Sequence, residues 1–409
     1  MVPNGWCIGT IEDIAKVTSG GTPSRTKDSY WNGHIPWVTT SEVKFGVIAD
    51  AVQKITQEGL DNSSAKLFPK DTILMAMYGQ GKTRGQVAKL GIEASTNQAC
   101  AALLLHKEHD VEYYYQFLTS QYENIRELAN SGGQQNLSAG IIKDIRVPIP
   151  PLPEQRKIAK ILSTWDKAIT TTEKLIETSQ QQKKALMQQL LTGKKRLVNP
   201  DTGEAFEGEW EEIAVGNFGV IYSGGTPSTS NKEYWDGDID WITPTDITKQ
   251  DNVYISSSKR RISADGLKNS SAKLVPTGSL LVCTRATIGE MAITAHEMCT
   301  NQGFKNIIPN ESTNVEFVFY LLTYEKHQLV SKASGSTFLE LSKRAFESMK
   351  FNVPPIGEQQ KIASVLTAAD KEIEVLEVKL AHFKQEKKAL MQQLLTGKRR
   401  VKVDDMEIA

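Results

Sequence analysis

The side chains best suited to holding a ligand lie in short polar loops, and those loops occur twice. The first set comprises Gly20, Gly21, Thr22, Ser24, Arg25, Trp37, Thr39, Thr40 and Ser41, then Tyr78, Gln80, Lys82, Thr83 and Arg84, then Asn97 and Gln98. The second comprises Gly224, Gly225, Thr226, Ser228, Trp241, Thr243 and Thr245, then Thr284, Arg285 and Thr287, then Asn301 and Gln302. Arg, Lys, Asn, Gln, Ser and Thr are the side chains that hydrogen-bond base edges and phosphate oxygens of nucleic acid. Lys82, Arg84 and Arg285 are the strongest candidates for such contact. Other members have a plainer reading. Gly-Gly-Thr-Pro is a turn sequence in its own right. Trp31, Trp37 and their copies fit a core better than a base stack. Asn97 and Asn301 can equally bracket a turn.

Catalytic patterns are missing. Gly79-Gln80-Gly81-Lys82-Thr83 looks like the end of a phosphate loop, but Ala76 stands where that loop needs its first glycine. There is no G-x-S-x-G, no H-E-x-x-H and no (N/D)-P-P-(Y/F) of amino-methyltransferases. Cys7, Cys100, Cys283 and Cys299 are scattered, which predicts free thiols in a reducing compartment. His106 and His109 lack a ligand cluster. No apolar run approaches the ~20 residues of a membrane span, and Met1 to Gly5 does not begin a signal peptide. The expectation is a cytoplasmic binding protein with no catalytic, cofactor or metal site and no membrane contact.

The elements that carry these loops are written twice. Ser19-Gly20-Gly21-Thr22-Pro23-Ser24 returns at Ser223 to Ser228, an offset of 204. Asn62 to Leu67 returns at Asn269 to Leu274, an offset of 207, and Thr96-Asn97-Gln98 returns at Thr300-Asn301-Gln302, an offset of 204. Lys183 to Lys194 is repeated without change at Lys387 to Lys398. The chain is therefore a tandem duplication. The offset changes between Trp37 and Asn62 and between Tyr78 and Gly85, so length varies there as it does in surface loops.

Each copy ends in a long periodic segment. No Gly or Pro interrupts Glu154 to Leu191, and residues 158, 162, 165, 169, 172, 176, 179, 183, 186 and 190 follow a 4,3 spacing. The matching positions run from Ile362 to Leu394. This is a coiled-coil seam. Thr192-Gly193 and Thr396-Gly397 stop the helices. A duplication favours pairing the two helices with each other, antiparallel and with pseudo-two-fold symmetry; a parallel homodimer seam is the competing arrangement. The intervening segments carry short β-like runs (Thr72–Tyr78, Ser279–Cys283) and helical patches (Val111–Asn130, Val315–Ser334), as two copies of one α+β domain would.

The 409 residues predict two or three domains at ~100–200 residues each. The 48 basic and 48 acidic residues cancel, which by itself argues against a purely electrostatic nucleic-acid binder. Divided by segment, residues 1–153 carry 14 basic and 15 acidic, 154–199 carry 10 and 4, 200–357 carry 14 and 20, and 358–409 carry 10 and 9. The first long helix is thus basic and the second domain acidic. On sequence alone the basic helix fits a solvated surface better than a phosphate-facing one.

The order is a globular domain, Pro-Pro-Leu-Pro-Glu-Gln-Arg-Lys-Ile-Ala (150–159), then a helix ending Leu-Leu-Thr-Gly. A second domain, Pro-Pro-Ile-Gly-Glu-Gln-Gln-Lys-Ile-Ala (354–363) and a second such helix follow. Together with the doubled Gly-Gly-Thr-Pro-Ser, this closely resembles the specificity subunits of type I restriction–modification enzymes, over nearly the whole chain. The resemblance implies target-recognition domains at 1–153 and 200–357, joined by helical spacers at 154–199 and 358–409, the last including a C-terminal tail. It implies that each domain reads one half of a split double-stranded DNA site. The loop differences at Gly79–Arg84 against Arg285–Thr287, and at Thr39–Val47 against Thr243–Asn252, would make those halves unlike. It implies a non-catalytic chain whose antiparallel coiled coil spaces the domains and docks two modification (methyltransferase) subunits. These would bring S-adenosylmethionine and adenine-N6 methylation, and two restriction (translocase/nuclease) subunits would bring ATP and Mg. Glu154, Gln155, Glu358 and Gln359 match the family signature, and their position at helix starts predicts capping and packing rather than DNA contact. The competing reading is a coiled-coil scaffold bearing two modules that bind something other than nucleic acid.

Overall fold

A computed structural model of the chain describes residues 2–79, 82–128, 136–250, 252–334 and 339–403; Gln80 and Gly81 of the first polar loop lie outside them. The chain forms two compact units, Met1–Glu173 with Val378–Ala409, and Lys174–Glu377. Both are α+β, and both repeat one plan.

In the first unit a five-stranded sheet has the order Ala15–Ser19, Cys100–Leu105, Ile73–Ala76, Val87–Leu90, Val47–Ile48. All its pairs are antiparallel except the last. The second unit repeats it as Gly219–Ser223, Phe304–Pro309, Leu280–Cys283, Met291–Thr294, Tyr254–Ile255. The strand Ile73–Ala76 is apolar throughout because it separates two cores. Ile73 and Met75 face the cluster that holds Tyr113 and Tyr114, while Leu74 and Ala76 face the one that holds Val38 and Phe68. Leu280 and Val282 against Leu281 and Cys283 do the same in the copy.

A second sheet carries the tryptophans. It has the order Gln53–Ile55, Trp31–Val38, Ala94–Thr96, Leu67–Phe68 in the first unit and Arg260–Ile262, Trp235–Ile242, Cys299–Thr300 in the second. A two-stranded ribbon closes each domain, Cys7–Thr10 with Arg146–Ile149 and Glu211–Ala214 with Lys350–Val353. The expected helical patches appear as Val111–Ser120 with Tyr122–Leu128, and Val315–Tyr324 with Lys326–Ser331. Asp110 and Asn314 cap the first helix of each pair through the amides of Tyr113 and Phe317, both at 2.8 Å.

The long helices run Leu152–Leu190 and Ile356–Leu394, 39 residues each. Gly193 (φ +68°) and Gly397 (φ +71°) take the left-handed cap conformation. Lys195 N to Gln189 O and Arg399 N to Gln393 O, both 3.1 Å, complete the cap. Every seam position named from the sequence is buried or half-buried. Each unit pairs part of one helix with part of the other, antiparallel. In the first, Asp166 meets Lys387 at 2.6 Å and Glu173 meets Lys384 at 2.8 Å. In the second, Asp370 meets Lys183, and Glu358 meets Arg196 at 2.7 Å. The intramolecular antiparallel seam expected from the duplication is therefore the one formed.

Candidate nucleic-acid interface

The Gly-Gly-Thr-Pro segments are not turns among themselves. Gly21 N donates to Thr96 O, and Gly225 N to Thr300 O, both at 2.9 Å, so the segment crosses the second sheet. A Cβ on Gly20 would overlap the Thr96 carbonyl and one on Gly21 would overlap Ser64; Gly224 and Gly225 meet Asn301 and Ser271 in the same way. The glycines are there because two backbones touch, and Gly21 and Gly225 present no group outward. The next residues do. Thr22 Oγ1 donates to Gln98 Oε1 at 2.5 Å, and Thr226 bonds Gln302 identically. Ser24 lies 2.9 Å from Thr26 Oγ1, and Ser228 lies 2.8 Å from Ser230 Oγ. Each exposed Gln thus has its carbonyl oriented by a threonine, and no described residue engages its amide nitrogen. Arg25 is exposed and stacks on Trp31.

Thr39 and Thr243 begin short helical turns. The Glu42 carboxylate accepts from both N and Oγ1 of Thr39 at 2.8 Å, and Asp246 accepts from Thr243 at 2.8 and 2.5 Å. Both threonines are occupied as caps. Ser41 leans on Thr39 Oγ1 at 2.8 Å, and Thr245 is exposed. Asn97 Oδ1 accepts from Ala99 N at 3.1 Å and Asn301 Oδ1 from Gly303 N at 2.9 Å, so both do bracket turns. Trp37 and Trp241 are core residues whose indoles donate to Gly21 O and Gly225 O at 2.9 and 2.8 Å.

The variable loops differ as the offsets implied. In the first unit Tyr78 and Lys82 are exposed, Thr83 packs on Gly79, and the Lys82 carbonyl accepts from Tyr122; Arg84 is half-buried. In the second, Thr284 is fully buried and spends its hydroxyl on Gly303 O at 3.2 Å. Arg285 is exposed, Thr287 half-buried, and Ala286 between them holds φ +64°. A non-glycine residue in that region costs on the order of 1 kcal/mol and marks a loop held by its surroundings.

Two residues were not evident from the sequence. Arg260 stacks on Trp235 from a strand, a position visible only once register is known. Lys305 is 95% buried near Glu340 and Lys343, yet no described residue bonds it; burial holds its ammonium below the ordinary 10.5. Ala101 stands at the matching place in the first copy. Cys100, Cys283 and Cys299 are buried thiols pushed up to about 12. Among the described residues no acidic, Cys or His group could hold a metal, and no helix is long and apolar enough to cross a membrane.

Glu154, Gln155, Glu358 and Gln359 lock helix starts to domains. Gln155 accepts from Asp110 N at 2.8 Å and donates to Pro150 O at 2.7 Å; Gln359 accepts from Asn314 N and donates to Pro354 O, both at 2.9 Å. Buried Glu154 takes Arg400 in a fork and the Trp6 indole at 3.2 Å. Buried Glu358 takes Arg196 at 2.7 and 2.8 Å.

Known proteins share this arrangement. A sequence profile of the type I restriction modification DNA specificity domain matches residues 3–179 and 207–383. The putative type I restriction enzyme MjaX specificity subunit of Methanocaldococcus jannaschii is 29% identical over an alignment of 422 residues, covering 98% of this chain and 95% of that one. The MjaIX specificity subunit of the same organism is 39% identical over 168 residues, 41% of this chain and 39% of its own length. The crystal structure of a type I restriction-modification S subunit from M. genitalium has the same fold, with a TM-score of 0.62 at 18% identity over 97% of this chain and 98% of that one. With the specificity domain matched in both copies of the duplicated frame, this chain belongs to the type I restriction–modification DNA specificity family.

Proposed function

We propose that each recognition domain (1–153 and 200–357) reads one half of an asymmetric, bipartite double-stranded DNA site. The observation that carries this is the pairing of one shared frame with unlike loops: exposed Tyr78 and Lys82 in one copy, exposed Arg285 on a strained loop in the other. A frame shared by both copies positions a common contact, and different loops present different donors and acceptors to base edges. The chain acts as the non-catalytic specificity subunit of a cytoplasmic complex. Its coiled coil spaces the half-sites and docks two modification subunits, which bind S-adenosylmethionine and methylate adenine N6. Two restriction subunits, using ATP and Mg, complete the restricting assembly.

Selection from a randomised duplex library by the chain with its modification subunit tests this. The expected product is one motif with two unlike halves at fixed spacing. A scaffold with non-nucleic-acid modules enriches nothing. Insertion of one heptad in register into both long helices adds about 10 Å, so the preferred gap lengthens by about three base pairs. An unchanged gap overturns the spacing role.

A further inference from the structure

Each unit holds an edge-to-face tryptophan pair, Trp31 with Trp37 and Trp235 with Trp241, at 5.1 and 5.0 Å between ring centres. The pairs satisfy themselves. The outer indoles donate to Ser24 O and Ser228 O at 3.0 and 3.1 Å, and the inner ones to the glycine carbonyls. Each pair nevertheless carries a guanidinium: Arg25 lies 4.0 Å over Trp31, and Arg260 lies 3.7 Å over Trp235. Their distances to the inner rings, 5.1 and 5.3 Å, also agree.

These two arginines are not copies of one another. At the 204 offset Arg25 corresponds to Thr229, and at the 207 offset Arg260 corresponds to Gln53. Sheet register confirms the second correspondence, since Gln53 faces Trp37 and Arg260 faces Trp241 across the strands. In the first unit Gln53 instead props the other arginine, accepting from Arg25 Nη1 at 2.9 Å. One unit lacks the strand arginine and the other lacks the loop arginine, yet both place a guanidinium at the same spot. Both are exposed, and neither has a carboxylate partner among the described residues. Stacking orders the exposed side chain beforehand, and the guanidinium donors beyond the one Arg25 gives to Gln53 are those that can grip a phosphate.

We propose that Arg25 and Arg260 are equivalent phosphate contacts, each gripping the DNA backbone at the half-site of its own domain. The proposal rests on the DNA-reading function above. Equivalence of place on two frames with unlike loops fits a contact to the invariant backbone rather than to a base.

The test uses the full chain assembled with its modification subunit. Affinity for the selected duplex and for an unrelated duplex is measured across a salt series, with melting temperature followed in parallel. Arg25→Thr and Arg260→Gln are each expected to weaken both duplexes alike, by about three- to tenfold. Each is expected to lower the slope of log K against log salt by about one and to leave the selected motif unchanged. Arg25→Thr with Gln53→Arg, which moves the cation to the strand position used in the other unit, is expected to restore slope and affinity. Variants that melt lower while slope and affinity stay at wild type would show a cover for the indole and overturn the proposal. So would a changed base preference, or a folded swap that restores nothing. Should Arg25→Thr fail to fold, Arg260→Gln and the swap still decide. If the unsubstituted complex selects no motif, the DNA-reading function itself fails, and the proposal with it.

Discussion

Lys305 shows how far a single side chain can sit from its solution preference. Its side chain is buried with no bonding partner among the described residues, where its copy is an alanine. Its depressed pKa means that the unfolded chain binds more protons between that value and the ordinary 10.5. The cost of burying this ammonium is therefore relieved as pH rises through that window, while Cys100, Cys283 and Cys299, whose thiols ionise more readily in the unfolded chain, pull stability the other way. Lys305→Met is expected to stabilise the second unit by about 1–2 kcal/mol at neutral pH, a gain over wild type that shrinks as pH rises through that window, as urea titrations of both proteins at several pH values would show. Glu358 is the opposite case, a buried carboxylate fully served by Arg196. Arg196→Met leaves that charge bare and is expected to cost about 3–5 kcal/mol, read as a lower midpoint for the second unit; no change in midpoint would refute the assignment. The Glu-Gln signature was legible in the sequence as a helix start. Its partners were not, because Trp6, Asp110 and Arg400 reach Glu154 and Gln155 from distant parts of the chain.

At the scale of elements, periodicity made the long helices and their stop signals readable, and the duplication made their pairing readable. Lys183 and Lys387 stand at matching seam positions of the two helices. Each meets an aspartate of the opposite helix, Asp370 or Asp166. A charged pair on a seam fixes register and orientation more than stability. Reversing the pair, Lys387→Asp with Asp166→Lys, is expected to recover most of what either single change loses. A double-mutant cycle on thermal unfolding should give a coupling of about 0.5–3 kcal/mol, and a coupling of zero would remove the pair from the register argument. Loops were less legible. Gly-Gly-Thr-Pro reads as a turn from local preference, but its glycines answer to Thr96 and Ser64, which only the packed sheet brings near. Arg260 was missed for the same reason, since strand register is a long-range property.

At the scale of the whole molecule, the two units draw on the chain differently. The second is one continuous stretch, Lys174–Glu377, whereas the first needs Val378–Ala409 to be complete. Leu394 and Leu395 lie in the first unit's core beside Ile158 and Leu162. A chain ending at Glu377 is therefore expected to keep a cooperatively folded second unit while the first is digested by low protease, and equal resistance of both would contradict this. The same asymmetry bears on synthesis. A ribosome adds residues from the N-terminus at about 5–20 per second and usually lets the first domain fold first. Here the order is reversed: the unit that emerges first stays incomplete until Val378–Ala409 follows the whole of the second unit and brings Leu394 and Leu395 into its core.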